Sequence, residues 1–291
     1  MRASWRNIVI FALVVLGAGF VGVLINRAIG AENPMEGPGT LLWLVGPFVA
    51  NLSLRAFGGD GWRDAGFGLG GPRAWPVYGA AFVVPVVVAA VALAVALVVG
   101  VVKPGPAAGD WGAVALVVGT TFAGSAVKNV FEEFAWRGYL TPRLEALGAP
   151  AALGWAITGV IWASWHIPYY LYFLNRQELA QLTPLSPEIL IVFALVLLPL
   201  QAIAYAELRL WSGSVWPAWL MHGVANALSL PLVAGGFITG ATGLGIFLSP
   251  GTEGVLYSVV MGAIGLTLYE RRRRHDRATA MKPSSPVTEP A

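Results

Sequence analysis

Residues 81–102 carry no charged side chain, and neither do residues 8–25. Each run is close to the ~20 residues that an α-helix needs to cross the hydrocarbon core of a bilayer. Similar apolar windows recur along nearly the whole chain, so residues 1–270 read as a single membrane-embedded unit rather than a string of soluble domains. The charge content agrees. Only 11% of the 291 residues are charged and 57% are hydrophobic, whereas an ordinary soluble domain carries about 25% charged residues. With so few charges a soluble fold of this size would not cover its own surface, and lipid must contact much of it. The expected fold is all-α, a polytopic integral membrane helical bundle with about eight transmembrane helices.

The apolar windows place spans at roughly 7–28, 39–57, 75–102, 112–146, 151–173, 188–207, 212–232 and 252–269. With the N-terminus in the cytoplasm, the inner segments hold Arg2, Arg6, Arg55, Arg63, Arg73, Arg143, Arg209 and the run from Arg271 through Arg274, Arg277 and Lys282. The outer loops hold only Arg27, Lys103 and Arg176. This asymmetry follows the positive-inside rule with both termini cytoplasmic. It also accounts for a sequence pI of 9.3 without a nucleic-acid partner. A prokaryotic plasma membrane is the expected location. Arg2 and Arg6 before an apolar run, with Ala28-Ile29-Gly30 after it, loosely resemble a signal peptide. The run is longer than a usual signal core, so an uncleaved anchor is expected. Residues 271–291 turn Arg-rich and then Pro/Ser/Thr-rich, which reads as a basic, disordered cytoplasmic tail near anionic headgroups. No internal repeat is visible, which weighs against a transporter built from duplicated halves. The absence of cysteine excludes disulfides, thiolate metal sites and a cysteine nucleophile.

Ionisable groups inside membrane spans are rare and are usually functional or paired. Here they cluster. The fourth span holds Lys128, Glu132, Glu133 and Arg137. His166 and His222 lie in the fifth and seventh spans, Asn226 follows His222 by four residues, and the third histidine, His275, sits in the basic tail. Spacing predicts a Glu133–Arg137 pair and a Lys128–Glu132 pair on the helix surface. Glu132 points about 100° away from Glu133. Taken singly, each group has a structural explanation: an ion network, a histidine bonded to a nearby carbonyl ahead of a bend at Pro168, and an interhelical hydrogen bond from His222 or Asn226. Together they require two adjacent carboxylates, two histidines and an asparagine in three helices by coincidence.

Hydrolysis is the chemistry such a set suits. Desolvation makes a carboxylate in an apolar cavity a better base near neutral pH. Imidazoles orient a water or donate to a developing oxyanion, and an asparagine amide completes an oxyanion hole. Ser164 lies two residues before His166 on a different helix face, which argues against a Ser/His dyad. Two histidines and a glutamate also make a zinc set, although the spacing is not His-Glu-x-x-His.

The chain resembles the CAAX-protease and bacteriocin-processing (CPBP) family, whose motifs are Glu-Glu-x-x-x-Arg, an aromatic residue four before a histidine, and His-x-x-x-Asn. They match Glu132, Glu133 and Arg137; Trp162 and His166; and His222 and Asn226. Phenylalanine is the common aromatic residue, so Trp162 departs from the pattern. The stretch from Glu207 to Pro217 also resembles the family's approach to its third motif. The resemblance implies an intramembrane endopeptidase with its motif core at 112–232. In that reading Glu132 is the general base, His166 helps to activate the water, His222 and Asn226 stabilise the oxyanion, and Glu133 and Arg137 support the site. It implies a membrane-associated or lipidated peptide substrate, membrane lipid as partner and no cofactor, with Zn as the alternative. The rival readings are a non-catalytic membrane binding, immunity or accessory protein of the same fold, and a proton-coupled transporter.

Depth adds one expectation. His166 lies about 15 residues into its span, or ~22 Å at 1.5 Å per residue. Glu132 reaches the same depth only if the fourth span continues past Arg137 to about Leu147, with a kink at Pro142 and with Arg143 and Glu145 in reach of cytoplasmic water. His222 would be shallower unless the seventh span begins near Leu208.

Overall fold

The computed structural model describes residues 4–177, 179, 185–228, 230–239 and 254–281. They form a helical membrane bundle. Its principal helices are α1 (Trp5–Ala28), α2 (Pro38–Ala56), α3 (Trp75–Val98), α4 (Trp111–Ala146), α5 (Ala151–Trp165), α6 (Pro187–Ser212), α7 (Trp216–Ala227) and α8 (Val255–Ala280). Four of these, α1, α3, α4 and α6, are each long and apolar enough to cross a membrane alone. Two-residue strands, Lys103–Pro104 and Ile238–Thr239, pair antiparallel and tie two connecting segments together.

Local chemistry sets the ends. Asp110 accepts the Ala113 N–H at 2.9 Å and caps α4, and Ser186 does the same for α6 through Ile189. Pro38, Pro187 and Pro217 sit in first turns, where a missing N–H costs nothing. Gly213, with φ of 70°, takes the left-handed conformation that ends α6. That stop and Pro217 start α7 at Trp216, not near Leu208. At 12 residues α7 is only ~18 Å long. The fifth span is also interrupted: α5 stops at Trp165, His166 is the turn beyond it, and Pro168 leads into a π-helical turn at Tyr169–Phe173.

α1 and α2 pack backbone to backbone. A Cβ on Gly39 would strike the Gly22 carbonyl, and one on Gly22 would strike Gly39. The Gly39 N–H donates to Asn26 Oδ1 at 2.8 Å.

α4 continues to Ala146, as the depth argument requires. It passes Pro142 by widening into a π turn at Trp136–Leu140, where the Thr141 N–H reaches back to Trp136 O. Pro142 has no N–H to give the Gly138 carbonyl, and side chains bond carbonyls along this stretch. Asn51 Nδ2 donates to Phe134 O at 2.8 Å, Arg209 Nε donates to Arg137 O at 2.9 Å, and Arg55 Nη2 donates to Gly138 O.

Arg55 also pairs with Asp64, and Arg143 pairs with both Asp64 and Asp60. Asp60 accepts from Tyr139 at 2.7 Å and from Asn7 at 2.9 Å. Arg143 is therefore buried in an ion network and not exposed to water as expected, while Glu145 is exposed. Burial alone would push the Asp64 carboxyl up, but the Arg143 and Arg55 guanidiniums outweigh it and hold it below the ordinary value.

Helix α8 corrects the tail boundary. The chain stays helical for ten residues beyond 270, through Ala280. Arg272 turns inward and pairs with the buried Glu207 at 2.7 Å and with Glu145 at 3.3 Å. Residues 282–291 of the expected tail lie outside the described residues.

Candidate active site

Helix α4 presents its two adjacent glutamates to different neighbours, as their angular separation requires. Glu132 is 1% exposed. One of its oxygens takes Lys128 Nζ and the other takes Trp162 Nε1 at 3.1 Å. Glu133 is fully buried; its Oε1 accepts from Arg137 Nη1 at 3.0 Å and from His222 Nδ1 at 2.8 Å. Arg137 is itself fully buried, with its guanidinium 4.5 Å from the Trp162 ring centroid and 4.6 Å from that of Tyr205. Charge and quadrupole both favour that placement.

His166 Nδ1 donates to Trp162 O at 2.9 Å. A carbonyl only accepts, so the proton sits on Nδ1 and the Nε2 lone pair is left available in the neutral ring. A purely structural histidine would make the same bond. Asn226 Nδ2 donates to Asn129 Oδ1 at 3.3 Å, and Trp219 Nε1 donates to Ala126 O at 2.8 Å. With His222–Glu133, these bonds fasten one face of α7 to α4.

A cavity of about 700 Å³ opens between these helices. Lys128, Trp162, His166, His222 and Asn226 line it, together with Trp43, Tyr169, Tyr170, Thr121, Ser125 and smaller apolar side chains. Glu132 is not among the lining residues; it meets the cavity through Lys128 and Trp162, the two groups that hold its carboxylate. Among the described residues no three His, Asp or Glu side chains gather as a metal-ligand set.

Several participants were not legible as such. Trp162 counted only as the motif's aromatic residue, yet its indole N–H makes a bond to Glu132 that phenylalanine lacks. Asn129 and Tyr205 carry no motif. Asn129 stands four residues before Glu133 on α4, and that spacing is the one signal the sequence offered.

The arrangement defines a class before a family: a helical membrane protein with paired carboxylates, two histidines and an asparagine gathered beside an internal cavity. Residues 110–228, less than half of the 291-residue chain, match the family model described as Type II CAAX prenyl endopeptidase Rce1-like. The segment that carries all three motifs is thus Rce1-like, consistent with the CPBP family. No curated protein matches the chain.

Proposed function

We propose that this protein is an intramembrane endopeptidase that hydrolyses a peptide bond of a membrane-associated or lipidated protein or peptide. The observation that carries the proposal is the convergence of His166, His222 and Asn226 on one cavity, with Glu132 held at its wall by Lys128 and Trp162. A water held by His166 Nε2 gives its proton to Glu132, and its oxygen attacks the scissile carbonyl carbon. The Asn226 amide faces the developing oxyanion; His222, whose Nδ1–H is on Glu133, offers its Nε2 lone pair and helps to hold the water. The C–N bond then breaks as the amine nitrogen takes the proton from Glu132. Glu133 and Arg137 fix His222 and the motif turn. Both termini are placed in the cytoplasm of a prokaryotic cell, on the distribution of arginine.

Zinc does not fit this set well. An ammonium sits directly on Glu132, where it would repel a dication, and both Glu132 oxygens are already engaged, by Lys128 and by Trp162. Full engagement of Glu132 also favours a second reading, a non-catalytic peptide-binding protein. One experiment separates the two. Purified wild type should cleave membrane peptides and Glu132→Gln should not; binding without cleavage by wild type would leave the binding protein.

A further inference from the structure

The cavity occupies one end of the bundle. On α4 its lining residues are Val117, Thr121, Ser125 and Lys128, a single face of the first half of that helix. On α6 they are Ala194 and Leu198, again in the first half. The returning helices α5 and α7 meet the cavity at their far ends, through Trp162, His166, His222 and Asn226. From Lys128 to Val117 is about 11 residues, or ~16 Å of helix, and Val117 stands only ~9 Å from the Trp111 end. There the lining passes to Met35, which is 39% exposed between α1 and α2, and to Pro231 and Ala234 beyond α7. Toward the other end, every residue of α4 from 132 to 144 is buried. Trp136, Tyr139 and Leu140 are fully buried there, and three arginines follow them. Arg55 and Arg143 pair with Asp64, and Arg209 Nη2 donates to Asp64 O at 2.6 Å. Arginine gathers on the cytoplasmic side of membrane proteins, so the closed end is the cytoplasmic one and the mouth faces outward.

We infer that the cavity loads from the extracytoplasmic face, and that its substrate is an apolar segment of a polypeptide presented at that face. This rests on the proteolytic reading for the word substrate, but the side of access is a property of the empty protein and needs no turnover. A polypeptide confined to the cytoplasm would have to part the Arg55–Asp64–Arg143 network and the aromatic layer above it, and breaking buried ion pairs is costly. A segment at the outer face meets no such layer among the described residues. The wall it would pass is apolar and aromatic, with Trp43, Tyr169, Tyr170 and Leu198 along it, and that wall accepts an apolar chain more readily than a charged one. The proteins this site serves are therefore those that have reached or crossed the membrane, such as exported chains with an apolar segment at the outer leaflet.

The chain has no cysteine, so a single introduced thiol reports one position. Thr121→Cys and Ser125→Cys place it on the cavity wall, outside the residues given a part in the chemistry. Arg63→Cys places it on an exposed site between α2 and α3, at the arginine-rich end. Spheroplasts that carry each variant are treated with a cationic methanethiosulfonate reagent, whose charge keeps it from crossing the bilayer, before and after lysis. Thr121→Cys and Ser125→Cys should be labelled to the same extent before lysis as after it, and Arg63→Cys only after it. Should the helix variants fail to accumulate, Met35→Cys at the mouth carries the test. Cavity thiols labelled only after lysis, or in neither condition, overturn the inference, and so does an Arg63→Cys thiol labelled from outside. Cleavage is read separately, with a membrane peptide whose charged tails keep it on the side to which it is added. Right-side-out vesicles should cut it and inside-out vesicles should not; cutting by inside-out vesicles alone overturns the inference. If neither cuts it while the labelling pattern holds, the route of access stands and the proteolytic reading falls.

Discussion

Glu133→Gln keeps the shape of the side chain and deletes its charge. Arg137 is then fully buried with no carboxylate at 3.0 Å, and His222 loses the acceptor that holds its ring at 2.8 Å. The Trp162 and Tyr205 rings beside the guanidinium return ~0.5–2 kcal/mol each, less than the several kcal/mol needed to keep an ion out of water. Arg137 Nε and Nη2 already have no hydrogen-bond partner among the described residues, so nothing nearby is poised to take over. Breaking a buried pair from one side costs about 3–5 kcal/mol, and that is the expected loss. The double variant Glu133→Gln with Arg137→Met removes both charges and should recover a large part of it, since a neutral replacement of a buried pair is often tolerated. Unfolding in mixed detergent–SDS micelles, followed by tryptophan fluorescence, gives the four corners of the cycle. Cleavage of a membrane peptide is measured beside it. A Glu133→Gln protein that unfolds at the wild-type midpoint and yet has no turnover would refute the reasoning: Glu133 would be the reacting carboxylate and Glu132 the structural one.

Arg272→Ala leaves Glu207 buried without its cation and should destabilise by about 3 kcal/mol, with Arg272→Lys recovering part of the loss in the same unfolding assay. Asp64 has a folded-state pKa below its unfolded value. Its contribution to stability is therefore present above the ordinary aspartate range, about 3.9, and is lost as pH falls through the folded value. Asp64→Asn should flatten that acid limb in a pH series of unfolding midpoints, and an unchanged limb would remove Asp64 from the account. Gly39→Ala inserts a methyl group against the Gly22 carbonyl and should cost about 1–3 kcal/mol as the α1–α2 contact opens; a neutral result would mean that the two helices sit farther apart than described.

What the sequence revealed and what it hid differ in range. Contacts within one helix were legible. The Lys128–Glu132 and Glu133–Arg137 pairs, the divergence of the two glutamates and the extension of α4 past Pro142 all follow from 1.5 Å and 100° per residue. Long apolar runs revealed the bundle, but hydropathy does not separate a continuous span from one broken at Trp165 or begun late at Trp216. Pro168 signalled a bend in the sequence, whereas Gly213 and Pro217 mark the late start of α7 only once the spans are aligned in depth. Pairings across helices left no trace. Arg272 read as one more tail charge because Glu207 is 65 residues away, and Arg143 read as an interfacial charge because Asp60 and Asp64 carry no periodic signal. Trp162 was visible as an aromatic ring, not as a donor.

The widened turn at Trp136–Leu140 bears on how the Glu-Glu-x-x-x-Arg motif travels between proteins. A π turn holds one residue more than an α turn, so the helix beyond it is rotated by a residue's worth of azimuth relative to the helix before it. Glu132 and Glu133 therefore meet their partners Lys128, Trp162 and His222 in one phase while Arg143 meets Asp60 and Asp64 in another. Carbonyls along this stretch are bonded by Asn51, Arg55 and Arg209, which come from α2 and α6 and lie outside the motif. A helix grafted with the motif residues alone would relax to α geometry or leave those carbonyls unbonded in an apolar interior. The transplantable unit is the motif together with its three distant donors. A homologue that shows the motif but lacks hydrogen-bonding side chains at the equivalents of 51, 55 and 209 should be read as carrying the letters without the turn.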